Sequence, residues 1–287
     1  MKELTIISGK GGTGKTSIVA AFASLAEKFI LCDADVDASD LHLIFNPQII
    51  ERHEFKSGNK AVINKEKCTQ CGLCLSLCRF EAINKEFKVD SLACEGCGVC
   101  VDFCPENAID FPQNNCGEWF ISDTRFGPFV HAQLGIAEEN SGKLVTIVRK
   151  AAQKLAKEKE FNLILTDGPP GVGCPVIASI GGSSAVLIVT EPTMSGKHDM
   201  ERVITLSEHF KVPVMICVNK SDLNLSVAQD IEKTAKATNI TFLGHIPFDP
   251  IFTKAMVCQQ NIFEYNDKSE AAIAVKKIWT KILNKLN

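Results

Sequence analysis

No run of about 18 consecutive apolar residues occurs in the 287-residue sequence, so no segment reads as a membrane-spanning helix. Basic residues do not dominate either. The 31 lysines and arginines are set against 34 aspartates and glutamates, and the net charge of −3 argues against a general binder of nucleic acid or other polyanions. Low-complexity tracts are absent, and Met1-Lys2 leads straight into an apolar run with no room for a leader, which predicts a chain of the reducing cytoplasm. His42, His53, His198, His209 and His245 have no ligand partner at a recognisable spacing and read as surface or packing residues. With 45% hydrophobic residues, the chain can build one large domain and a small insert, in keeping with a length prior of about two domains.

Cysteine is abundant. Eight of the thirteen cysteines form two C-x2-C-x2-C-x3-C runs, Cys68-Cys71-Cys74-Cys78 and Cys94-Cys97-Cys100-Cys104. That spacing suits thiolates wrapped around two cubane [4Fe-4S] clusters, and in paired runs the fourth cysteine of each ligates the other cluster. Cluster one then takes Cys68, Cys71, Cys74 and Cys104, and cluster two takes Cys78, Cys94, Cys97 and Cys100. Zinc sites separate their C-x2-C pairs by longer loops, and disulfides do not suit a chain without a signal sequence. Leu73, Leu75, Leu77, Ile83, Val99, Val101, Phe103 and Ile109 supply a small apolar core between the ligands. Residues 58–112 resemble a bacterial two-cluster ferredoxin, with Pro105 closing the second run and Arg79 replacing that proline in the first.

The chain opens on a second motif. Leu4 to Ser8 reads as an apolar strand that empties into Gly9-Lys10-Gly11-Gly12-Thr13-Gly14-Lys15-Thr16, the G-x4-G-K-T phosphate loop, with a helix from about Thr16 to Glu27 after it. Glycines admit backbone N–H groups to a phosphate chain, Lys15 offers a charge to the outer phosphates, and Thr16 offers an oxygen to Mg2+. The helix N-terminus, with Ser17 in its first turn, faces the same anion. The string K-G-G-T-G-K-T resembles the deviant Walker A loop of the MinD, ParA, Mrp and nitrogenase iron protein superfamily. That resemblance implies a nucleotide-dependent homodimer in which Lys10 reaches the partner protomer's nucleotide and stabilises transition-state charge.

Further landmarks follow in the superfamily's order. Phe29 to Cys32 is a buried strand that delivers Asp33, Asp35 and Asp37; by motif position Asp33 resembles the Mg2+-network acid, and Asp35 or Asp37 the acid that orients the attacking water. Asn162 to Thr166 delivers Asp167-Gly168-Pro169-Pro170-Gly171, similar to the family's D-x-P-P-G Walker B and switch II, with Asp167 in the Mg2+ network. Other strands end in Thr190-Glu191-Pro192-Thr193, Asn219-Lys220-Ser221-Asp222 and Ile246-Pro247-Phe248-Asp249. Asn219 and the Pro247 loop are expected to frame the base. Asn-Lys-x-Asp also occurs as a guanine-reading motif, but the superfamily uses this place for adenine, so ATP is the expected nucleotide.

The fold expected is α/β: a doubly wound, mostly parallel sheet over residues 1–57 and 113–287, with a small α+β ferredoxin domain inserted at 58–112. After the insert, a helical run from Lys143 to Lys157 is expected to lead into the Asp167 strand. Cys32 and Cys217 read as core residues, whereas Cys174, following Gly171-Val172-Gly173, is a candidate for an additional metal at a dimer axis, with Cys116 or His131 completing the set. No C-x-x-C lies outside the ferredoxin stretch, which argues against the bridging cluster site of Mrp-type carriers. Val275, Ile278, Trp279, Ile282, Leu283 and Leu286 fall at helical spacing opposite four lysines, a helix either docked on the sheet or lying at a membrane surface. Three functions fit these parts: ATP-gated electron transfer to a redox partner, ATP-dependent assembly or delivery of a metal cofactor to a client metalloprotein, and MinD-like positioning with structural clusters.

Overall fold

From Glu3 to Ser8 every residue of β1 (Lys2–Ser8) is buried, so this strand has helices over both faces and lies inside a sheet. The computed structural model describes residues 1–135, 138 and 140–286. They fall into two units, Met1–His53 with Trp119–Gln133 and Ser141–Asn287, and Glu54–Glu118 with Leu134–Asn140. After β1 come α1 (Lys15–Ala23), β2 (Phe29–Asp33), α2 (Leu41–Phe45) and β3 (Gln48–Asn59). The second unit holds β4 (Val62–Ile63), α3 (Leu73–Leu77), α4 (Val99–Asp102) and β5 (Ile109–Asp110). The chain continues through β6 (Gln113–Thr124), β7 (Gly127–Leu134), α5 (Ser141–Glu158), β8 (Leu163–Pro170), α6 (Cys174–Ile180), β9 (Ala185–Thr190) and α7 (Met194–His209). It closes with β10 (Val214–Val218), α8 (Leu225–Ala237), β11 (Thr241–His245), α9 (Ile251–Val257), α10 (Ile262–Asn266) and α11 (Glu270–Leu286).

The large sheet runs β11-β10-β9-β1-β8-β2-β7-β6-β3. Every registered pairing from β11 across to β7 is parallel. Alternation divides the core: Leu4, Ile6, Leu187, Val189, Met215 and Cys217 face one hydrophobic cluster with α1 and α11, while Ile7, Val186, Ile188, Ile216 and Val218 face another with α6, α7 and α8. The last helix is docked. Val275, Ile278, Trp279 and Ile282 are buried, and the Trp279 ring lies 5.0 Å from Phe22, each such side chain contributing about 1.5–3 kcal/mol of burial. Among the described residues no helix is long and apolar enough to cross a membrane.

Between the cysteine runs and α5 the structure differs from the sequence reading. Two strands, β6 and β7, precede α5, and β7 pairs with β2 through Leu31↔Phe129 and Cys32↔Val130. Its Gly127-Pro128 start reads locally as a turn, yet Pro128 to Ala132 is buried.

Within the second unit, β4 and β5 pair antiparallel, Ile83 bridges Val89, and the two halves repeat one design. α3 and α4 each start from a glycine in the left-handed region, Gly72 (φ 83°) and Gly98 (φ 77°). The Ala82 amide donates to Cys78 Sγ at 3.4 Å, and the Ala108 amide donates to Cys104 Sγ at 3.3 Å.

Candidate nucleotide site and cysteine-lined cavities

Gly9 to Thr16 joins the end of β1 to α1, and its turn needs glycine where φ is positive, at Gly12 (80°) and Gly14 (86°). Gly14 has a second constraint. A Cβ there would collide with Asn219 Nδ2, and that amide donates to the Thr13 carbonyl at 2.8 Å. Asn219 is buried against the loop, and its Oδ1 accepts from the Lys220 amide, so its side chain braces the phosphate loop. Pro247 is half-buried beside Phe248, whose amide donates to Asp222 Oδ1 at 2.6 Å and ties the two loops together.

Asp33 and Asp167 are neighbours across the β2–β8 pairing, and Lys15 and Asp35 complete a buried group of three carboxyls and one ammonium. Lys15 Nζ donates to Asp167 Oδ1 at 2.6 Å and to Asp35 Oδ2 at 3.3 Å, and lies 3.4 Å from Thr16 Oγ1. Burial alone would depress the Lys15 ammonium, but the charges of Asp167 and Asp35 outweigh it and hold its pKa above 10.5. Burial pushes Asp33 well above the carboxylate range, with the Asp167 charge adding to it. Burial lifts Asp35 to about 6 and raises Asp167 as well, with Lys15 opposing both.

The oxygens of this group differ in how they are partnered. Asp33 is fully engaged, its Oδ1 by the Asp35 amide at 3.0 Å and its Oδ2 by Ser39 Oγ at 2.7 Å. Asp35 Oδ1, Asp167 Oδ2 and Thr13 Oγ1 are buried with no partner. Each such atom costs about 1–3 kcal/mol, and the carboxylate pair is a hard-oxygen donor set that fits Mg2+ and its waters. Asp37 is exposed, so Asp35, not Asp37, is the acid that faces Lys15.

Lys10 lies on the other side of the loop. Its Nζ is 2.5 Å from Glu191 Oε1 and within reach of Ser195 Oγ (3.3 Å) and Thr193 Oγ1 (3.5 Å). Lys220 Nζ reaches Glu191 Oε2 (3.3 Å) and the Gly12 carbonyl (2.8 Å). Reading the sequence missed Glu191 and Lys220 as partners of this loop; Glu191 stood in a visible strand-end motif, but the contact spans about 180 positions of chain.

In the second unit, one small cavity is lined by Cys68, Cys71, Cys74 and Cys104, with Ile63, Leu73, Phe87, Ala108 and Ile109. Another is lined by Cys78, Cys94, Cys97 and Cys100, with Phe80, Ile83, Val89 and Phe111. Each draws three thiols from one run and one from the other. Burial raises the Cys74 and Cys100 thiols, and the neighbouring cysteines raise them further, so thiolates here call for a cationic occupant. Among the described residues no three His, Cys, Asp or Glu groups converge on a single ion. Four thiols lining an apolar cavity are instead a donor set of the type that iron-sulfur clusters take.

The three residues considered for an additional metal have separate surroundings. Cys174 is exposed at the start of α6, and Cys116 is buried with its Sγ donating to the Ser57 carbonyl at 2.9 Å. His131 is a core imidazole, stacked on Phe120 and Phe129, 2.9 Å from Ser122 Oγ, and pushed by burial down to about 4.

Residues 4–262 match the CobQ/CobB/MinD/ParA nucleotide binding domain. An uncharacterized protein of Methanocaldococcus jannaschii is 32% identical over 292 residues, covering 98% of this chain and 96% of that protein. The cytosolic Fe-S cluster assembly factor nubp2 of Danio rerio is 24% identical over 143 residues, 45% of this chain and 53% of that protein. The fold is similar to that of the septum site-determining protein MinD of Pyrococcus horikoshii, complexed with Mg-ADP, with a TM-score of 0.60 at 18% identity over 98% of this chain and 95% of that one.

Proposed function

Because the chain belongs to the CobQ/CobB/MinD/ParA nucleotide-binding family, we propose that it is a cytoplasmic Mg2+-dependent ATPase whose inserted ferredoxin domain, residues 58–112, passes electrons to a redox partner under control of the nucleotide. The observation that carries this reading is the interleaved pair of four-cysteine cavities. Four cysteines are the full ligand complement of a resident [4Fe-4S] cluster, and such clusters are electron carriers. Bound [4Fe-4S] clusters supply one-electron chemistry. Around them the chain's own groups set the surroundings: Ala82 and Ala108 amides point at ligand sulfurs, and Cys71 and Cys97 are the exposed ligands.

At the nucleotide, Lys15 would turn from Asp35 and Asp167 to the outer phosphates, leaving Asp167 and Thr16 Oγ1 to hold Mg2+, which would neutralise phosphate charge. Asp35, lifted to about 6, is poised to orient and accept from the attacking water. The active form is a nucleotide-dependent homodimer, with Lys10 directed to the partner's nucleotide.

Linkage supplies the test. If nucleotide state and redox state are coupled by about 1–3 kcal/mol, an ATP analogue moves at least one cluster potential by roughly 40–130 mV relative to ADP. Anaerobic spectroelectrochemistry that finds equal potentials in both states removes electron gating. A second reading, cofactor assembly or delivery, rests on the partial similarity to the assembly factor of Danio rerio. It predicts a further metal, lost in Cys174→Ser while about eight irons stay.

A further inference from the structure

We propose that Glu191 is the positioning residue of the deviant lysine: it holds Lys10 within its own protomer and thereby sets the protein concentration at which the ATP-loaded chain pairs. This rests on the dimer reading given above. One carboxylate ties the phosphate loop to the 190–195 segment twice, through Lys10 to Oε1 at 2.5 Å and through Lys220 to Oε2 at 3.3 Å, and Lys220 continues to the Gly12 carbonyl at 2.8 Å.

The acceptors are built without help from Lys10. Thr190 Oγ1 donates to the Gly196 carbonyl at 3.0 Å, and the Gly196 amide donates to Thr193 Oγ1, the cap of α7, at 2.9 Å. The turn is wound so tightly that a Cβ on Gly196 would lie 2.5 Å from the Glu191 carbonyl oxygen. A preformed carboxylate with two hydroxyls beside it therefore waits for an ammonium. Burial would raise the Glu191 carboxyl, but hydrogen bonds from Lys10 and Lys220 outweigh that and keep its pKa below the ordinary value.

The electrostatics give the sign. Two ammoniums share one carboxylate, so Lys10 is bound by a charge-assisted contact that a partner's phosphates must replace. Glu191→Gln keeps the shape and an acceptor oxygen but removes the charge, so Lys10 is released more readily.

Two measurements test this. In nucleotide-free protein, acetylation of the Lys10 amine read by mass spectrometry is expected to be several-fold faster in Glu191→Gln than in the wild type. With a saturating non-hydrolysable ATP analogue, sedimentation is expected to show pairing at about five- to tenfold lower protein concentration, the combined effect of weakening one charge-assisted hydrogen bond in each of the two protomers. The same substitution in a Lys10→Ala background is expected to change neither pairing nor its salt dependence, which separates action through Lys10 from general loosening. Unchanged Lys10 acetylation, or pairing that weakens or stays the same in Glu191→Gln, overturns the proposal. If neither protein pairs at any concentration, the dimer reading falls and takes the pairing claim with it. The acetylation rates then decide by themselves whether Glu191 holds Lys10.

Discussion

Replacing Asp35 with asparagine is expected to stabilise the nucleotide-free protein while disabling it. Asp35 is buried beside Asp33 and Asp167, and one ammonium, Lys15, faces the three carboxyls. A carboxyl lifted from 3.8 to about 6 binds its proton more tightly folded than unfolded, so it stabilises the fold at low pH and opposes it as pH rises through 6. At 1.36 kcal/mol per pH unit the cost of keeping Asp35 ionised above pH 7 reaches about 3 kcal/mol. The neutral amide of Asp35→Asn avoids that cost. For a unit of this size the gain corresponds to a Tm higher by up to roughly 6–12 °C, measured by calorimetry in chelator at pH 7.5. The gap should narrow to about half by pH 5 and close near pH 4, where the carboxyl of the unfolded chain also takes up its proton. Added Mg2+-ATP should stabilise the wild type more than the variant, and turnover of the variant should drop by about 100-fold or more. A variant that melts below the wild type at pH 7.5, or a gap that is independent of pH, would refute the reasoning.

Gly14→Ala is expected to weaken nucleotide binding at least about 100-fold by calorimetric titration, since the new Cβ collides with Asn219 Nδ2 and strains a loop residue at φ 86°. Cys78→Ala is expected to leave about four of eight irons in anaerobically reconstituted protein, and to disturb the same cluster spectrum as Cys97→Ala, because both thiols line one cavity despite lying in different runs. Arg149→Met is expected to cost about 3–5 kcal/mol in urea unfolding, for it strands buried Glu3, whose oxygens it holds at 2.7 and 2.9 Å. Adding Glu3→Gln to that variant should recover much of the loss.

Local pattern revealed those parts of the molecule that local pattern encodes. The glycine-rich loop, the acids at the ends of β2 and β8, and the amphipathic α11 can each be read within a dozen residues, because strand period, turn chemistry and helical spacing act over that range. β6 and β7 could not, since Gly117, Gly127 and Pro128 punctuate them and their burial comes from partners distant in sequence. The choice between Asp35 and Asp37 waited for side-chain directions: two positions of chain separate a buried acid facing Lys15 from an exposed one. Asn219 was expected to frame the base, and the contact its amide makes with the Thr13 carbonyl, over 200 positions away, had no signal in the sequence. Glu191, Lys220 and the Glu3–Arg149 pair gave no sequence signal of their contacts, because a charged residue looks the same in water and in a bridge until the fold supplies its partner.

The crossed sharing of cysteines also bears on how the protein is made. Synthesis runs from the N-terminus, so after the first run has left the ribosome neither cavity has its full set of thiols. The set of Cys78, Cys94, Cys97 and Cys100 is complete at residue 100, and that of Cys68, Cys71, Cys74 and Cys104 four residues later. On the two-cluster proposal both sites would thus be completed almost together, late in the translation of this segment, and a nascent chain stalled between the runs would present four thiols that belong to two different cavities.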